Sequence, residues 1–132
     1  MDLQIINIAS NVKYNKELKN FTHKSRFKNA LCGDQIEIRL IVNEEKIEDI
    51  GYQCKSCIYC QASASVLSKF SINKSVNSIR DVVSFLNLLF DNDSKKFPKD
   101  LKKFKTLFNK KNFARKECIL LPFKALSKAL KL

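Results

Sequence analysis

Tryptophan is absent from this chain of 132 residues, histidine occurs once, and glycine and proline occur twice each. Such scarcity, beside abundant Lys, Asn, Ile and Phe, is the composition an AT-rich genome writes, so part of the lysine excess reflects composition rather than function. No apolar run approaches the roughly 18 residues of a membrane-spanning helix, and no membrane role is expected. The opening stretch, MDLQIINIASNVKY, has an acidic second residue and a weak apolar run, a poor signal peptide. The five cysteines are an odd set, and three of them, Cys54, Cys57 and Cys60, fall within seven residues. That pattern argues against a disulfide framework. It favours a reducing, cytoplasmic setting and metal or thiol chemistry. Neither an internal repeat nor a long linker is visible.

What is present fits a single globular domain over residues 1–132. The hydrophobic share is 45%, in the globular range. A chain of this size buries about two-thirds of its unfolded surface and needs no disulfides. The net charge is +12, but residues Lys95 to Lys116 carry ten basic side chains and one acid, so +9 of it sits in one segment. Basicity is therefore local. It suggests either the solvated side of an amphipathic helix (Lys102, Lys103, Lys105, Lys110, Lys111) or a partner surface.

Hydrophobic spacing gives the elements. Residues 3–20 read as a weak helix or loop, and residues 21–31 as basic and irregular, with His23 solvated. In QIEIRLIV, from Gln35 to Val42, Ile36, Ile38 and Leu40 alternate with Glu37 and Arg39, which predicts a half-buried strand. A polar turn at 43–46 precedes a second strand, Ile47 to Cys54, paired back as a hairpin. QASASVLSKF suits a helix packed closely on a sheet. SIRDVVSFLNLLF is the clearest helix, with Ser78 as its cap and Ile79, Val82, Val83, Leu86, Leu89 and Phe90 on one stripe. DLKKFKTLF predicts a short amphipathic helix. A last helix follows from CILLPFKALSKAL, with Pro122 in or near its first turn, because an interior proline breaks a helix. Strands followed by helices give an α+β fold: a small antiparallel sheet of about three strands packed against several helices.

The cysteine run Cys54-x-x-Cys57-x-x-Cys60 starts like a bacterial ferredoxin motif, but Ala64 and Ser65 stand where that motif continues with Cys and Pro. A closed clip of these three thiols would need them to converge across a strand end and a helix start, where they point in different directions. A second constellation is better suited. Cys32 and Asp34 straddle Gly33 just before a strand, Cys57 lies between the second strand and the small-residue helix, and Cys118 lies at the start of the last helix, where the helix dipole favours a thiolate. Two turns and a helix start can meet at one end of a sheet. Three thiolates and a carboxylate suit zinc and are a borderline set for an iron–sulfur cluster, with the hard carboxylate as the exchangeable corner. Cys54 and Cys60 read as buried small apolar side chains.

CGDQIEIRL, then CIYCQASASVL, then RKECILLPFKAL resemble the three signatures of the IscU/SufU/NifU-type iron–sulfur cluster assembly proteins. The resemblance covers roughly residues 29–70 and 113–128, and the intervening segment is similar to the insertion of the SufU branch. It implies a NifU/SufE-like fold and a metal ligand set of Cys32, Asp34, Cys57 and Cys118. It implies zinc as the resident ion, or a transient iron–sulfur cluster. It also implies sulfur accepted as persulfide on Cys32 from a SufS-like cysteine desulfurase, a pyridoxal-phosphate enzyme, and passed on to downstream iron–sulfur apoproteins or carriers. The chain would then be a sulfur-transfer carrier rather than a self-sufficient enzyme. Cys54 and Ser56 replace family glycines, so a left-handed backbone there would be strained. Cys60 replaces a family serine, and Glu117 stands where IscU proteins carry histidine. Arg115 and Lys116 are placed to steer or stabilise a thiolate near Cys118. The alternative class, a basic zinc domain that binds nucleic acid, requires aromatic side chains interleaved with lysines on an exposed face. Phe104, Leu107 and Phe108 fit a core-facing stripe better, so nucleic acid is not the expected partner.

Overall fold

A computed structural model describes residues 3–30, 33–89 and 104–132, with side chains described to residue 86 in the second of these stretches. The chain order is α1 (Leu3–Ala9), β1 (His23–Lys28), β2 (Gln35–Asn43), β3 (Lys46–Lys55), α2 (Ile58–Ser71), α3 (Val76–Leu89), a 3₁₀ segment (Lys110–Arg115) and α4 (Lys116–Leu130). The three strands form one antiparallel sheet in the order β1-β2-β3. Helices α2 and α4 pack on one face of it and α1 packs on α2, so the fold is α+β, as the sequence implies.

The hairpin follows from its alternation. Ile36, Ile38 and Leu40 of β2 stand opposite Cys54, Tyr52 and Ile50 of β3, and together they make the inner face. Glu44 and Glu45 form the turn with φ of 51° and 63°. Left-handed backbone suits the right-handed twist of a two-residue hairpin but is costly for side-chain-bearing residues. The α2–α3 loop holds it in place: Val76 N–H donates to the Glu45 carbonyl at 2.9 Å, and Asn73 N–H to the Ile47 carbonyl at 2.8 Å.

The third strand lies in the segment that reads as irregular. β1 turns His23, Ser25 and Phe27 inward and Lys24, Arg26 and Lys28 outward, but Ser25 is its only buried residue. Its pairing rests on side-chain tethers. Lys24 and Arg26 reach Glu37 across the sheet at 3.2 and 3.5 Å, and the Ser25 hydroxyl donates to the Ala125 carbonyl of α4.

Small residues let α2 approach its neighbours. Ala62, Ser63, Ala64, Ser65, Ser68 and Ser71 are all buried. Of their hydroxyls, Ser65 donates to the Asn11 carbonyl at 3.1 Å, and Ser71 to Leu67 at 2.7 Å. The cap of α3 is Ser75 rather than Ser78: Ser75 Oγ accepts from Ser78 N–H at 3.1 Å. The stripe of α3 holds where it is described. Ile79, Val83 and Leu86 are buried and Val82 is half-buried, while the Leu89 side chain and Phe90 lie outside the described residues.

The description resumes at Phe104 in 3₁₀ conformation, residues 105–108 form turns, and residues 100–103 of the predicted amphipathic helix, Leu101 among them, lie outside the described residues. Phe104, Leu107 and Phe108 face the core, and Phe104 packs on Phe70 and Phe123 at centroid distances of 5.6 and 5.8 Å. Helix α4 starts at Lys116, two residues earlier than the apolar spacing suggests. Pro122 therefore sits in the second turn, and its missing N–H leaves the Cys118 carbonyl without its α-helical partner.

Candidate metal centre

One end of the sheet gathers the β1–β2 loop, the β3–α2 junction and the start of α4. Gly33, at φ +77°, takes a conformation L side chains rarely adopt and turns the loop back into β2. Two backbone bonds close it: Gly33 N–H to the Asn29 carbonyl at 2.9 Å, and Asn29 N–H to the Asp34 carbonyl at 2.8 Å. Asp34 is thereby held beside the N-terminus of α2, where its Oδ2 accepts from Cys57 N–H at 3.4 Å. Cys57 is the N-cap residue of that helix, and its thiol makes no capping hydrogen bond. Cys118, the third residue of α4, is buried.

The ligand atoms of Asp34, Cys57 and Cys118 lie within 4.8 Å of one another. Three of the four expected ligands are thus brought together. Cys32, the fourth and the expected sulfur acceptor, lies outside the described residues. Burial pushes the Cys118 thiol well up, and the neighbouring Cys57 and Asp34 push it further. Without a cation, desolvation and crowding by two acidic groups oppose the thiolate that the helix dipole favours at Cys118. A cation reverses that balance. It offers opposite charge to groups that otherwise repel, and thiol-rich donors with one carboxylate match a borderline-soft ion. The residues present fit zinc.

The Arg115 guanidinium lies over the Tyr59 ring at 5.6 Å, and Lys116 Nζ lies 5.8 Å from the Phe113 ring centroid. Glu117 is exposed and pairs with Lys124 at 3.0 Å. Cys54 belongs to β3 opposite Ile36, and Cys60 is fully buried in the first turn of α2. Among the described residues, left-handed backbone outside glycine occurs at Glu44, Glu45, Asn73 and Lys131. Cys54 and Ser56 are thus unstrained where the family has glycine. Burial, with Cys54 and Cys60 nearby, pushes the Tyr52 hydroxyl up to about 12. Sequence patterning gives no sign of the Asp34–Cys57 bond, which joins residues 23 positions apart.

The sequence profile of the NifU-like N-terminal domain matches residues 4–88. The chain belongs to this family. Its relatives include the "iron-sulfur cluster assembly scaffold protein IscU" of Thermotoga maritima, 29% identical over 96% of this chain and 89% of that one. An uncharacterised protein of Borreliella burgdorferi is 33% identical over 85% of this chain and 74% of its own length. Among solved structures, a putative SUF-system scaffold from Fervidobacterium islandicum superposes with a TM-score of 0.88 at 24% identity, covering 98% of this chain and 96% of that one. A NifU-like N-terminal domain from Brucella abortus gives 0.83 at 22%, covering 98% and 91%. These two likenesses carry the NifU-type fold. Among the described residues, no helix of this NifU-like chain is long and apolar enough to cross a membrane.

Proposed function

We propose that this NifU-family chain is a cytoplasmic iron–sulfur cluster assembly protein that accepts sulfur from a SufS-like cysteine desulfurase and passes it to apoproteins or carriers. Cys32 is the acceptor, and a resident zinc ion is held by Cys32, Asp34, Cys57 and Cys118. The observation that carries the reading is the convergence of the Asp34, Cys57 and Cys118 ligand atoms within 4.8 Å, two residues along the chain from Cys32. Iron and the cluster are cargo in this account. Zinc, when bound, supplies positive charge that keeps neighbouring thiols ionised near neutral pH.

The remaining chemistry belongs to the chain. Cys32 thiolate attacks the outer sulfur of the desulfurase persulfide. That sulfur–sulfur bond breaks, the donor cysteine leaves as thiolate, and Cys32 carries the new one. Asp34, the hard donor among soft ones, is the corner that yields most readily. Cys57 and Cys118, fixed to the starts of two helices, hold the site's shape. The rival reading, a nucleic-acid-binding zinc domain, gets no stacking platform from Phe104, Leu107 or Phe108, which are buried.

Metal analysis of protein purified without added iron, paired with transfer of labelled sulfur from a cysteine desulfurase, tests the proposal. About one zinc per chain and label on Cys32 are expected. Full labelling of a Cys32→Ser variant would sink the acceptor assignment, and zinc retained in a Cys57→Ser, Cys118→Ser double variant would sink the ligand set.

A further inference from the structure

Helices α3 and α4 and the edge strand β1 line an open groove of about 470 Å³. Its floor is apolar. Phe27 of β1 is half-buried, and Val83 of α3 and Phe123 of α4 are buried. Leu132 stands at the rim with 39% of its surface exposed. The rest of the rim is basic: Arg80 on α3 and Lys124 and Lys128 on α4 are all exposed. Among the described residues that line the groove, none has an acidic side chain. Arg80 donates to the Asn77 amide oxygen at 3.3 Å, and Lys128 to the Arg26 carbonyl at 3.0 Å. Both acceptors are neutral, so these bonds leave the two positive charges in place, and each cation has further N–H donors. Lys124 pairs with Glu117, outside the groove lining, at 3.0 Å. The groove shares no residue with the Asp34, Cys57 and Cys118 donor group.

We propose that this groove docks an acidic peptide segment of a protein partner, with one bulky apolar side chain seated between α3 and α4 and carboxylates on Arg80, Lys124 and Lys128. Charge complementarity selects the occupant. Three cations around an apolar floor favour an anionic chain with an apolar anchor and repel a basic one. A second copy of this chain is a poor occupant, because each copy carries +12 and the two repel. A nucleic-acid duplex meets the charges but keeps its bases stacked inside, which leaves the floor uncovered. The acidic segment satisfies both parts of the groove at once. Because the donor group lies outside the lining, a partner is held by one surface while the metal centre stays free to exchange its cargo. The docking itself does not rest on the function proposed above.

The probe is a dye-labelled synthetic peptide, a short run of Glu and Asp with one central Phe, titrated with the full chain and followed by fluorescence anisotropy. Binding is expected, and it should weaken as salt rises. A peptide with Ser in place of that Phe should bind about tenfold more weakly, because the floor is left empty. Arg80→Glu combined with Lys128→Glu should weaken binding about tenfold. Ser84→Lys adds a cation at an exposed position of the groove wall and should tighten binding about threefold, a gain that misfolding cannot produce. Amide shifts on titration should centre on Phe27, Val83 and Ser127. No binding of the peptide, equal binding with and without its Phe, or unchanged affinity in the charge-reversed variant would overturn the proposal. So would amide shifts centred on Lys110–Lys116, duplex DNA bound more tightly than the peptide at physiological salt, or a dimer in sedimentation that the charge reversal abolishes. Zinc content and sulfur transfer to Cys32 enter none of these readouts, so the two readings fail separately.

Discussion

The Ser63 hydroxyl of α2 donates a 2.6 Å hydrogen bond to the Ile119 carbonyl of α4, the residue after Cys118. The bond is buried and joins residues 56 positions apart, so it sets the height of the Cys118 turn against α2. Ser63→Ala removes one hydrogen bond and should lower stability by about 1 kcal/mol. Ser63→Val adds bulk where two helices touch and should lower it by about 1–3 kcal/mol. Urea midpoints of the two variants check both the order and the size.

Asp34 has two roles that one substitution separates. Asp34→Asn keeps an oxygen that can accept from Cys57 N–H but drops the charge. The expected result is an unchanged thermal midpoint of the metal-free protein with zinc affinity lowered about 10–100-fold, a fall typical for groups that support a metal site. Competition with a chromophoric chelator measures it. Unchanged affinity would remove Asp34 from the ligand set.

A Cβ at Gly51 would lie 2.6 Å from the Lys16 carbonyl oxygen and 3.0 Å from Leu18 Cγ. Backbone must move to admit it. Gly51→Ala should lower stability by about 1–3 kcal/mol. It should also raise amide exchange at Tyr52, whose N–H donates to the Tyr14 carbonyl at 3.0 Å.

Tyr52 gives a pH dependence of definite sign. Its hydroxyl is held up at about 12 by burial, against an ordinary value of 10.0. Above pH 10 the unfolded chain loses this proton first, so the stabilising contribution is full below pH 10 and is lost as pH rises toward 12. Tyr52→Phe should flatten that part of the stability profile in denaturation series run between those limits.

The basic segment makes a further claim on association. Lys105→Glu combined with Lys110→Glu, both at exposed positions, should weaken desulfurase binding at low salt, leave zinc content unchanged, and have less effect as salt rises. Binding curves at two salt concentrations decide it. Loss of zinc in the same variant would mean that the lysines act through the fold.

The hairpin and α2 were legible in the sequence because their buried faces are written in apolar or small residues at the right period. β1 was not, because its inward set is His23, Ser25 and Phe27 and its partners are charges and a helix carbonyl. The α3 cap was misplaced because Ser75 and Ser78 both satisfy the rule, and only the side-chain direction separates them. Cys57, Cys118 and Asp34 could be assembled from motif spacing and turn chemistry.

Pro122 leaves α4 with a weak seam. A helix normally resists opening because each turn is bonded to the next, and here one such bond is missing at the Cys118 carbonyl. The first turn of α4, which carries Cys118, can therefore loosen at a lower free energy than the turns that follow, whose Phe123, Ala125, Leu126 and Ala129 are locked in the core. Thiol access at that end of the molecule thus becomes separable from global unfolding: a labelling reagent should reach Cys118 in the metal-free chain at denaturant concentrations where the C-terminal half of α4 still protects its amides.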